Sequence, residues 1–111
     1  MKELSSEEVK RMPNDVSEVS YIFWKLNILF STLNRLHEVM MAKTKSEREV
    51  NSEDLRYLEN AENILKSVKV SLEDLKIRID KLKEPPIKNY LNNLYDKVEL
   101  KLREIMNMMR S

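Results

Sequence analysis

The sequence predicts an all-α fold: an antiparallel three-helix bundle running up, down and up, with a short extra helix at the N-terminus. Three observations carry this. The 111 residues include no Gly and only three Pro, which leaves few of the positive-φ positions that tight β-hairpins require. Glu, Lys, Leu, Arg and Met, all good helix formers, dominate the composition. Three long stretches repeat apolar residues at steps of three and four, the period of a helix face. The length fits one domain, 1–111, with a single core.

Taken in order, Ser5-Ser6-Glu7-Glu8 has the form of a capping box, and a short helix over about 5–12 is expected to follow. Leu4, Val9 and Met12 give it a small apolar side, and Pro13 stops it, because the residue before a proline is pushed out of the helical region. Asp15 and Glu18, three apart, open a first long helix over about 15–43. Its seam is Val19, Ile22, Leu26, Leu29, Leu33, Leu36 and Met40, with Phe23, Phe30 and His37 expected to widen the core-facing side. Residues 44–49 lack a periodic apolar residue and read as a connection.

Asn51 and Ser52, followed by Glu53 and Asp54, start a second long helix over 52–83, since carboxylates suit the positive end of the helix dipole. Its seam is Leu58, Ala61, Leu65, Val68, Leu72, Leu75, Ile79 and Leu82. Pro85-Pro86 ends it, and one of those prolines opens a third helix over about 86–110, seamed by Ile87, Leu91, Leu94, Val98, Leu102, Ile105 and Met109. Short connections favour antiparallel neighbours. The layout is similar to that of the three-helix repeats of spectrin-like proteins. The same seams also suit an alternative, a helical hairpin that dimerises into a four-helix bundle.

Several function classes lack their residues. Without Cys there are no disulfides, thiolate metal sites or cysteine nucleophiles, and without Gly there is no phosphate-cradling loop of the P-loop or dinucleotide kind. His37 is the only histidine; it has no second His for a zincin pair, and no Glu-x-x-His motif exists for a di-iron bundle. A non-enzymatic protein without metal, cofactor or small-molecule substrate is therefore expected. Residues 21–30 are eight-tenths apolar yet include Lys25 and Asn27, and fall far short of the about 20 apolar residues that span a bilayer. No apolar region follows the N-terminal charges, so a cytoplasmic protein without membrane association is expected. The 35% of charged residues and the lack of Gln resemble proteins of hot environments.

Two binding functions stay open. Apolar residues off the seams point to a protein-interaction or accessory-subunit module, binding a larger partner or itself. Tyr21, Trp24 and Ile28 project from the side of the first helix opposite its seam; Val70 and Ile77 form a second off-seam pair, and Met106, Met108 and Met109 a third surface. The short N-terminal helix, folded back, would cover Trp24. The alternative is a nucleic-acid-binding accessory subunit of the replication or defence type. Net charge is only +1, but residues 1–62 hold 9 basic against 12 acidic residues (−3), and 63–111 hold 11 against 7 (+4). The candidate contacts are Lys76, Arg78, Lys81, Lys83, Lys88, Lys97 and Lys101 for phosphates, with Tyr90 and Tyr95 to stack on bases.

Overall fold

A computed structural model describes residues 16–45 and 52–110, which form four helices and no strand. Helix α1 spans Val16–Lys45, α2 Ser52–Glu59, α3 Ala61–Asp80 and α4 Pro85–Arg110. The long helices α1, α3 and α4 all pack against one another, and α2 packs against α1 and α3. One chain thus closes all three seams on itself as a bundle. The short helix expected over 5–12 and most of the connection after α1 lie outside the described residues.

The seams meet in one cluster. Ile22, Leu26, Leu29, Leu33 and Leu36 of α1 join Leu65, Val68, Leu72, Leu75 and Ile79 of α3 and Leu91, Val98, Leu102 and Ile105 of α4, all buried. Fully burying each such side chain contributes about 1.5–3 kcal/mol, and this is what orders helices otherwise rich in charge. No polar or charged residue is buried among the described residues, so the core carries no desolvated charge.

The structure changes three expectations of the seam. The helix expected over 52–83 is divided at Asn60. Its side-chain amide donates to the Arg56 carbonyl at 2.9 Å, and its backbone N–H donates to the same oxygen at 3.0 Å. A side chain competing for an i−4 carbonyl bends a helix. The ladder resumes directly, with Ile64 N–H donating to the Asn60 carbonyl at 2.9 Å. Second, Phe23 is 43% exposed rather than core-facing, while Val39, off the seam, is buried. Third, Met109 at the last seam position of α4 is exposed, and Met106, expected on the surface, packs against the core instead. Spacing along one helix does not say where its neighbours lie, so edge positions such as Phe23 and Met106 are settled by packing against α4 and α3.

The α3–α4 turn follows its chemistry. Leu82 N–H donates to the Ile79 carbonyl at 3.0 Å in a tight closing turn, so α3 stops at Asp80, before residue 83. Pro85 opens α4, where a missing N–H costs nothing, and the Glu84 carbonyl accepts from Lys88 N–H at 3.0 Å. The Lys88 ammonium donates to the Asp80 carbonyl at 3.2 Å, placing a cation at the negative end of α3.

Candidate functional site

The first turns of α1 and the last turns of α3 build an aromatic surface around one arginine. Arg78 Nη1 donates to both carboxylate oxygens of Glu18, at 2.9 and 3.0 Å, and Nε donates to Asp74 Oδ2 at 2.9 Å. The same guanidinium lies 4.9 Å from the centre of the Tyr21 ring. Bonds to Asp74 and Glu18 raise the Arg78 pKa above its usual value, so the charge is permanent. Glu18 and Arg78 are 60 residues apart in the chain, and their pairing ties α1 to α3.

Tyr21 is thereby held from behind, and Trp24 leans on it, with ring centres 6.1 Å apart and planes tilted by 42°. Trp24 itself is 55% exposed. Ile28, one turn on, borders a cleft of about 430 Å³ between α1 and α3, walled by Lys25, Thr32, Ile64 and Ser67. Tyr21 thus contacts α3 through Arg78, Ile28 borders the α1–α3 cleft, and Trp24 is the most exposed of the three. The Thr32 hydroxyl donates to the Ile28 carbonyl at 2.9 Å and the Asn27 amide to the Phe23 carbonyl at 2.8 Å; both are satisfied within their own helix. Residues Leu4, Val9 and Met12, the expected cover for Trp24, are outside the described residues.

The other off-seam residues do not join this surface. Val70 and Ile77 are exposed on α3, seven residues apart on one face. Met108 is half-buried, and Met106 and Met109 border a hollow between α3 and α4. A second aromatic pair escaped the sequence reading: Phe23 of α1 stacks on Tyr90 of α4, centres 6.2 Å apart and planes within 20°. Both are exposed, beside a hollow of about 360 Å³ bordered by Val19, Pro86 and Ile87. Only the relative stagger of α1 and α4 brings them together, and no local pattern signals that.

The candidate nucleic-acid contacts are largely engaged within the bundle. Lys76 donates to Asn92 Oδ1 at 3.0 Å, lies 3.8 Å from Asp80 and sits 5.3 Å over the Tyr95 ring. Arg78 and Lys88 are held as described, and Lys101 pairs with Glu104 at 3.7 Å. Tyr90 already stacks on Phe23, and Tyr95 is partly buried against the core. Burial, then the charges of Glu99 and Asp96, push the Tyr95 hydroxyl pKa above its ordinary value. Lys81, Lys83 and Lys97 are exposed.

Among the described residues no group of three or more His, Asp or Glu is arranged to hold a metal ion, and His37 is half-buried on the flank of α1. No described helix is long and apolar enough to cross a membrane. Comparison with protein-family models, curated proteins and solved structures finds no match to this chain.

Proposed function

We propose that this chain is a non-enzymatic protein-interaction module, an accessory subunit that binds a protein partner or a second copy of itself through the surface of Tyr21, Trp24 and Ile28. The observation that carries the reading is Trp24. More than half of the largest apolar side chain in the protein faces solvent, although the bundle core closes without it. Tryptophan and tyrosine in such positions dominate interface energetics when a partner covers them. The surface is also pre-ordered, because Arg78 fixes Tyr21 and Tyr21 supports Trp24.

Nucleic-acid binding has less support. Phosphate binding needs cations free to neutralise phosphates and displace the counterions condensed on the nucleic acid, and Lys76, Arg78, Lys88 and Lys101 already have internal carboxylate, carbonyl or amide partners.

The test is affinity purification of the full chain from its source cells, with and without nuclease, in parallel with Trp24→Ala. The proposal expects a protein retained after nuclease treatment, or self-association, and loss of either in the variant. A monomer whose retained proteins are the same with and without Trp24 would sink it. Retention that disappears with nuclease would move the function to nucleic acid.

A further inference from the structure

At the opposite end of the bundle, α3 and α4 leave a hollow of about 460 Å³ between them. Its floor is apolar: Leu65 from α3, with Met106 and Met109 one turn apart on α4. Its rim carries Lys66 and Lys69 on α3 and Arg110 on α4, with Glu62 the one acidic residue of the lining. These three cations are not engaged with carboxylates of the bundle. Arg78, Lys76, Lys101 and Arg103 each pair with a carboxylate, whereas Lys66, Lys69 and Arg110 form no ion pair with a described residue.

We propose that this hollow is a docking groove for an acidic amphipathic helix from another protein. The reading shares with the proposed function the view that the chain is a binding module, but uses a second surface and does not need Trp24. Charge complementarity selects the occupant. A net excess of two unneutralised cations around an apolar floor matches a helix with apolar residues at i, i+3, i+4 and i+7 and carboxylates along its edges. The two walls are unlike: α3 presents charge at Glu62, Lys66 and Lys69, spaced four and three apart, and α4 presents methionine. Methionine is unbranched and polarisable, so the floor adapts to the side chains it receives. Leu65 and Met106 lie between the two helices with Met109 exposed beside them, a shape that receives a projecting helix edge. For a nucleic acid the methionine floor offers no partner.

The experiment titrates the full chain, with its methionine methyl groups ¹³C-labelled, with a designed helix of about 18 residues, or five turns, having a leucine stripe and glutamates elsewhere. The expected result is saturable shifts of the Met106 and Met109 methyl signals, with affinity that weakens as salt rises. Lys66→Glu combined with Lys69→Glu should weaken binding by about tenfold or more, while Trp24→Ala leaves it unchanged. Both lysines are exposed, so the double variant keeps its fold, checked by circular dichroism. A scrambled peptide of the same composition and a lysine-for-glutamate version should not bind. The proposal is overturned if the acidic helix gives no shifts at Met106 and Met109, if the scrambled peptide binds equally well, or if the double variant binds as tightly as the wild type. It is overturned in favour of a membrane if phosphatidylglycerol vesicles move those methyl signals and the peptide does not. Loss of peptide binding in Trp24→Ala would place the event at the aromatic surface and refute this groove, whereas a partnerless Trp24 surface with intact groove binding would refute only the earlier proposal.

Discussion

Leu75 and Ile77 lie two residues apart on α3 and are chemically alike, yet one is 1% exposed and the other 56%. Truncating each to alanine therefore separates core from candidate interface. At Leu75 the lost methine and its two methyl groups leave a cavity in the core, and such changes cost about 2–5 kcal/mol. At Ile77 only 44% of the residue is covered, so about 0.9 kcal/mol of a full burial worth about 2 kcal/mol is at stake. Alanine returns about 0.4 kcal/mol through its better helix propensity, leaving a net loss of about 0.5 kcal/mol. With a urea m value of about 1.5 kcal/mol/M, a 3 kcal/mol loss lowers the Leu75→Ala midpoint by about 2 M, and Ile77→Ala by about 0.3 M. Urea unfolding followed by helical circular dichroism reads both. Equal shifts would refute the reasoning, since Ile77 would then be covered in solution. So would a Leu75→Ala loss below about 1 kcal/mol, because no tightly packed core would exist at that level.

Three further outcomes are expected. Asn60→Ala should stabilise the chain by about 0.5 kcal/mol in urea unfolding, joining α2 to α3, because alanine removes the amide that competes for the Arg56 carbonyl; a loss above about 1 kcal/mol would mean that the bend itself is needed for packing. Tyr95 holds its proton more tightly when folded than unfolded, so its contribution to stability is complete below the ordinary tyrosine pKa of 10.0 and is lost as pH rises through the higher folded value. Alkaline unfolding should therefore be shallower in Tyr95→Phe, and an unchanged pH profile would show that the ring's surroundings do not disfavour phenolate. Arg78→Ala should free Tyr21 and lower the fluorescence anisotropy of Trp24 without lowering helix content, whereas unchanged anisotropy would mean that Trp24 is not supported through Tyr21.

The buried sets of the helices were legible because each stretch repeats one residue type at one period. Ile22 through Leu36 and Leu65 through Ile79 fall where spacing alone puts them. What spacing cannot supply is stagger, the sliding of one helix along another. Phe23 reads as a core flank until α4 is placed beside it, and only then does Tyr90 arrive to stack on it. Arg78 reads as one of a run of cations, and its role depends on Glu18, far off in the chain. Met106 reads as surface because its exposure depends on how far α3 extends past it. The bend at Asn60 was hidden for a different reason: asparagine tolerates helix interiors, and its amide acts on the backbone only when its rotamer returns to the i−4 carbonyl.

The two ends of the bundle also differ in how firmly their surface side chains are held. At the start of α1, Tyr21 lies under a guanidinium with two carboxylate partners, Phe23 is stacked on Tyr90, and Lys76 is fixed by Asn92 and Asp80. Rings fixed this way lose little freedom when a partner arrives, so binding energy goes into fit, and a partner of the wrong shape is rejected. At the end of α4 the surface is made of methionine and lysine, the side chains with the most rotamer freedom. Ordering them on binding costs more, and in exchange the site repacks around different side chains. One small core thus carries a stiff aromatic surface and a soft, charged one some distance apart. That division suits a module that holds one partner in a defined pose while accepting a more variable helix at its other end.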